Sequence, residues 1–193
     1  MQAQLRETIE GMDVSPAELD TRELLPVLLP AWFFTTGKWC GPFTRLRAAE
    51  IGLTWAVLTP GGNLRYIDRA ARSHWEEQGL DWKALAMTNL SRHTENQPCP
   101  RMLRRVNGEI FAVAFLYEDG LGPSRLLFRG TLSRLFPQGC RVALPERSCG
   151  LAFDTGLNAE ERRQVEGVIN HCYQHGTRPF VPGSYGVDDL LPE

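Results

Sequence analysis

Hydrophobic positions change their spacing several times along the chain, and each change marks an element. Near the start, Ser15-Pro16-Ala17-Glu18 reads as a helix opening: Ser15 caps, Pro16 suits the first helical position and Glu18 completes a capping box. Leu19, Leu24, Leu25 and Leu28 follow at helical spacing, limited by Pro26 and Pro30, so a helical segment is predicted over residues 1–30. Residues 31–49 show no clear period and read mostly as loop. Residues 53–59 (LTWAVLT) are rich in β-formers, Pro60-Gly61-Gly62-Asn63 turns the chain, and Leu64-Arg65-Tyr66-Ile67 returns it as a hairpin. Asp68 caps a helix running to Gln78 with Gly79 as its stop, and Asp81 caps another from Trp82 to about Arg92.

Pro98-Cys99-Pro100 breaks the pattern. Beyond it, two runs flank Asn107-Gly108, the strongest short hairpin signal. Residues 110–116 are almost all apolar, which predicts a central strand covered on both faces. Residues 124–136 read as partly helical with Gly130 interrupting, and 141–144 and 151–153 as short strands. Asn158 caps a last helix, with Glu161 at the capping-box position, that ends near Gly176. Residues 177–193 read as an extended or partly disordered tail. Hairpins mixed with helices, rather than alternating strand and helix, predict an α+β fold with a mostly antiparallel sheet built from hairpins and covered by helices. The expected organisation is a helical segment at 1–30, one α+β domain at 31–176 and a tail at 177–193.

Composition sharpens this picture little. A chain of 193 residues with 42% apolar and 23% charged residues can bury roughly 70% of its unfolded surface as one domain. No apolar run approaches the roughly 20 residues that span a bilayer, and the polar, acid-bearing start is not a secretory leader. Five cysteines without a Cys-x-x-Cys pair fit neither a disulfide framework nor a structural zinc site, and imply reduced thiols in the cytoplasm. The net charge of −2 offers no global field for nucleic acid. Charge is nevertheless unevenly placed. Residues 101–147 hold eight arginines against Glu109, Glu118, Asp119 and Glu146, whereas residues 148–193 hold three arginines against seven acids. Either the C-terminal part folds over the basic one or both are simply solvated.

Candidate chemistry begins with Trp39-Cys40-Gly41-Pro42, which matches four residues of the thioredoxin sequence Trp-Cys-Gly-Pro-Cys. Phe43 stands where the resolving thiol belongs, and dithiol exchange needs two sulfurs. Pro100, seven residues before Asn107, echoes the proline that faces the active cysteine at the end of the thioredoxin sheet. Cys40 alone is therefore the redox candidate, against a tight Gly-Pro turn with a buried aromatic anchor. His171 and His175 share a helical face but lack a third ligand at metal spacing. Ser124 lacks the Gly-x-Ser-x-Gly elbow of a hydrolase and reads as a helix cap. No phosphate loop or dinucleotide fingerprint is present, so no cofactor and no metal is called for. Of the five tryptophans, Trp75 and Trp82 are expected to cover the sheet; exposed, they would mark a partner surface.

Several pieces of the middle of the chain occur together in a known order. They are Leu64-Arg65-Tyr66-Ile67, Trp75-Glu76-Glu77-Gln78-Gly79-Leu80, Ala84-Leu85-Ala86-Met87-Thr88-Asn89-Leu90, Asp119-Gly120 with Ser124-Arg125-Leu126-Leu127, and Val142-Ala143-Leu144-Pro145-Glu146-Arg147. From about Leu53 to Phe153 the chain resembles the YtpQ-like family of uncharacterised bacterial cytosolic proteins. The family pattern after the proline reads Ser-Arg-Asp, where this chain has Glu146-Arg147-Ser148, so the acid is not carried over. The resemblance implies an α+β fold and brings no activity with it.

It does direct attention to Asn89, Ser124, Arg125 and Arg147, polar residues set among apolar runs. Converging, they would form an anion pocket suited to a carboxylate or phosphate. The plainer arrangement has Asn89 closing its helix and the arginines paired with Asp119 or Glu146. The expectation is a non-catalytic cytoplasmic module that binds a protein, a second copy of itself or a small anion, and neither nucleic acid nor membrane. The alternative is a thiol-dependent redox protein using Cys40.

Overall fold

A single long strand organises the first sheet of the computed structural model, which describes residues 19–37 and 39–193. β1 (Leu24–Pro30) pairs antiparallel along the whole of β3 (Ile51–Leu58), from Leu24 opposite Val57 to Pro30 opposite Ile51. The other edge of β3 is shared end to end by β2 (Phe43–Arg45) and β4 (Leu64–Tyr66). The β3–β4 hairpin is thus where the sequence predicts it.

β1 stands where the leucine spacing predicts a helix; the predicted opening at Ser15 lies outside the described residues. Leu24, Leu25 and Leu28 fit either period, and burial decides between them. Leu25, Val27 and Leu29 pack on one face with Phe33, Phe34 and Leu90. Leu24 packs elsewhere, with Trp55, Trp75 and Trp82, and Leu28 with the core between the sheets. A segment apolar on both faces suits a strand covered on both sides. Pro26 and Pro30 are tolerated because β1 lies at the sheet edge, where a missing N–H removes no ladder bond.

After the short α1 (Trp32–Thr35), the helices α2 (Arg69–Glu77) and α3 (Trp82–Glu95) start as predicted. The Asp68 carboxylate accepts the Ala71 N–H at 2.7 Å and that of Asp81 accepts the Ala84 N–H at 3.1 Å. Trp55, Trp75 and Trp82 are buried together against the first sheet, whereas Trp32 is 51% exposed.

The second sheet holds β5 (Arg101–Arg104) and β6 (Ile110–Leu116), joined by the Asn107-Gly108 turn with Gly108 at φ +88°. A 3-10 turn at Pro123–Leu127 leads into α4 (Arg129–Leu135). The break falls at Phe128 and not, as the sequence suggests, at Gly130, which lies inside α4. β7 (Cys140–Glu146), β8 (Cys149–Asp154), α5 (Ala159–His175) and β9 (Ser184–Gly186) complete the chain, in the antiparallel order β5-β6-β8-β7-β9. β6 is covered on both faces as expected. Ala112 and Ala114 cluster with Val165 and Ile169 of α5, and Val113 and Phe115 join Leu28, Leu46 and Ile51 in the core between the sheets.

The predicted tail is built into this core. β9 pairs with β7, Leu190 is buried, and beyond it the chain returns to the first sheet. Ala48 N–H donates to Asp189 O at 2.8 Å and Glu193 N–H to Arg45 O at 3.2 Å. Acids of residues 148–193 meet the basic stretch, the first of the two alternatives: Arg105 bonds Asp154 at 3.1 Å and Glu161 at 3.0 Å, and Arg129 pairs with Asp188. Two antiparallel sheets with helices against them make an α+β fold. No helix among the described residues is long and apolar enough to cross a membrane.

Candidate anion site at the β7–β8 hairpin tip

Three of the four candidate pocket residues are engaged by the fold. Asn89 sits inside α3 rather than at its end, and its Nδ2 donates to Thr21 O and Leu24 O, both at 2.9 Å. It therefore fixes the entry to β1 and does not close its own helix. Ser124 is buried in the 3-10 turn, where its hydroxyl accepts the Leu28 N–H at 3.2 Å. It caps no helix; it satisfies a donor on the edge strand β1.

Arg125 is 0% exposed, and each of its three guanidinium nitrogens has a partner. Its Nη1 and Nη2 donate to the two oxygens of Asp119 at 3.1 and 2.6 Å, its Nε donates to Thr94 Oγ1 at 3.1 Å, and its Cζ lies 4.4 Å from the centre of the Tyr117 ring. His93 reaches the same carboxylate at 3.1 Å. Burial pushes the Asp119 carboxyl up, but the bonds from His93 and Arg125 and the charge of Arg125 outweigh this and hold it well below the usual carboxylate range. This is the structural pairing, not a pocket.

Arg147 is different. It occupies the two-residue tip between β7 and β8, whose geometry is set by Glu146. That buried carboxylate accepts the backbone N–H groups of Ser148 and Arg178, and Arg147 N–H donates to Arg178 O at 3.1 Å. Arg147 and Arg178 are thus neighbours across a short bridge between the tip and the C-terminal segment. The Arg147 side chain passes over Gly120, where a Cβ would lie 3.0 Å from Nε and φ is +70°. Its Nη2 donates to the Tyr66 hydroxyl at 3.0 Å, and its Nε is buried without a hydrogen-bond partner among the described residues. Neither Arg147 nor Arg178 has a carboxylate within salt-bridge reach among the described residues.

Tyr66, only 8% exposed, is the centre of this arrangement. Burial raises its phenol, while the charges of Arg147 and Arg178 pull the other way. Trp39 packs edge-on against it with centroids 5.2 Å apart, and Trp39 Nε1 is a second buried donor without a partner among the described residues. Buried donors left unpaired are rare enough to need an explanation, and a bound acceptor is one. Tyr66, Trp39 and Arg178 were not among the residues the sequence picked out for the pocket, and no local signal marks them. Arg178 joins Tyr66 and Trp39 only because the C-terminal segment crosses back.

The Trp39-Cys40-Gly41-Pro42 stretch follows the anchor reading in its shape. Trp39 packs against Phe33, Phe34 and Tyr66, and a Cβ on Gly41 would lie 2.4 Å from Ile67 O, so only glycine fits. Cys40 is exposed on a loop that leads into β2, not at the start of a helix. His171 and His175 have rings 4.9 Å apart, and no group of three or more metal-ligating side chains occurs among the described residues. The chain matches no family model, no curated protein and no solved structure.

Proposed function

We propose that the protein is a binding module that takes a small anion, a carboxylate or a phosphate, at the hairpin tip formed by Arg147 with Tyr66 and Arg178. The observation that carries the reading is the contrast in partners. Arg125 has a bidentate carboxylate, whereas Arg147 has one neutral hydroxyl and an unpaired Nε. A guanidinium with open donors beside a second arginine suits a planar or tetrahedral oxyanion. The resemblance to the YtpQ-like family is part of the proposal. Its separate pieces supply Tyr66, Gly120 and Arg147, which adjoin one another here. A cytoplasmic setting belongs to it too, supported by the free thiols at Cys99, Cys140, Cys149 and Cys172.

Titration with inorganic phosphate and with acetate, followed by calorimetry and by amide chemical shifts, tests this. Saturable binding is expected, with shifts centred on residues 147 and 178, and the Arg147→Met variant should bind about tenfold more weakly. Equal responses from the wild-type and Arg147→Met proteins would remove the proposal.

A further inference from the structure

The last turn of α5 packs against the same hairpin beside its tip. Gly176 ends the helix with its N–H donating to Cys172 O at 2.9 Å, and a Cβ there would lie 2.1 Å from Glu146 Cγ. Glu146 is opposite Cys149 in the first ladder pair of the hairpin. Two cysteines 23 positions apart, counting from 149 to 172, are thereby brought side by side. The two thiols interact at this contact. Both are free thiols; Cys149 is buried and Cys172 is half-buried.

The two sulfurs are unequal in a useful way. Interaction with Cys172 raises the Cys149 thiol, and burial and the Glu146 charge add to this. The same interaction lowers the Cys172 thiol, against partial burial and Glu146. The more accessible sulfur is the better nucleophile, and the buried one is held against it as a resolving group.

We propose that Cys149 and Cys172 are a redox-modification site that a low-molecular-weight disulfide converts into an intramolecular disulfide. The Cys172 thiolate attacks one sulfur of the reagent RSSR, forming the mixed disulfide and expelling RS⁻, which takes up the proton that Cys172 released. Cys149 gives up its proton and attacks the Cys172 sulfur, forming the Cys149–Cys172 bond and expelling a second RS⁻, which takes up that proton. The protein dithiol is oxidised, RSSR is reduced to two RSH, and no other reactant is needed. The new bond fastens the end of α5 to the β7–β8 hairpin. The inference uses none of the anion-site side chains and stands apart from that proposal.

The test exposes the reduced full-length protein to oxidised glutathione, quenches it by alkylation and maps cysteine peptides by mass spectrometry. The expected result is a Cys149–Cys172 cross-linked peptide as the dominant protein disulfide, reversed by dithiothreitol. The Cys149→Ser variant should accumulate glutathione on Cys172, because the mixed disulfide is no longer resolved. Stable glutathione on Cys172 of the wild-type protein would overturn the proposal. So would modification of the exposed Cys40 and Cys99 while Cys172 stays reduced, or a dominant disulfide between another pair. The wild-type map alone decides these outcomes should Cys149→Ser fail to fold.

Discussion

Arg125 and Arg147 both meet the Asp119-Gly120 loop and do opposite things. Arg125 is enclosed, with a carboxylate on two of its nitrogens, a hydroxyl on the third and an aromatic ring on its face. Arg147 holds one phenol and leaves an N–H buried and unpaired. A guanidinium whose every nitrogen has a partner in the chain is part of the fold; one with a nitrogen left over is available to something else. The comparison shows why residue type alone does not identify a site. Both arginines stand in the same kind of sequence setting, and only their partners separate them.

The largest expected effect tests the enclosed side. Asp119→Asn leaves Arg125 buried without a counter-charge, which should cost about 3–5 kcal/mol in urea unfolding. Arg147→Met should stay within about 1 kcal/mol of wild type. A small effect at Asp119 would erase the distinction. The pH dependence sharpens it. The folded Asp119 carboxyl titrates below its unfolded value of roughly 3.9. Its contribution is therefore complete above about pH 5 and is lost as pH falls through the folded value. The wild-type protein should lose stability steeply below about pH 4, and Asp119→Asn should lose less over that interval.

How much of this was legible in the sequence follows the range of each contact. The caps at Asp68, Asp81 and Asn158 and the turn at Asn107-Gly108 were readable because side chain and target lie within three residues of each other. β1 is not legible because Leu24, Leu25 and Leu28 satisfy a helical period, and the cover on both faces comes from distant Leu90, Trp55 and Val113. The tail was misread because its order depends on β7 and on backbone partners near residue 47. Of the pocket candidates, Arg147 remains. Asn89 and Ser124 are polar because β1 needs their hydrogen bonds, at 65 and 96 positions' separation. No local pattern carries such information.

An intermediate effect is expected at Gly120. Alanine there meets a left-handed backbone, costing about 1–2 kcal/mol, and also displaces the Arg147 guanidinium. Gly62 has a similar φ of +78° with nothing within 4 Å of the added Cβ, so it supplies the control. Both alanine variants should lose similar stability on thermal unfolding. Only Gly120→Ala should also weaken phosphate binding. Equal affinity in the two would mean that the path of Arg147 over Gly120 does not position it.

The smallest effect is expected at Tyr66, and it discriminates between two roles for the phenol. Tyr66→Phe removes the acceptor of the Arg147 bond while keeping the ring against Trp39, so stability should fall by about 0.5–1.5 kcal/mol. If the hydroxyl holds Arg147 in place for an anion, phosphate affinity should fall by about threefold, near 0.6 kcal/mol. If the hydroxyl instead occupies the donor that an anion needs, affinity should rise, because Nη2 is freed. A fall keeps Tyr66 in the site as a positioning group. A rise makes it a competitor that the ligand displaces, and would move the centre of the site outward from Tyr66 toward Arg178.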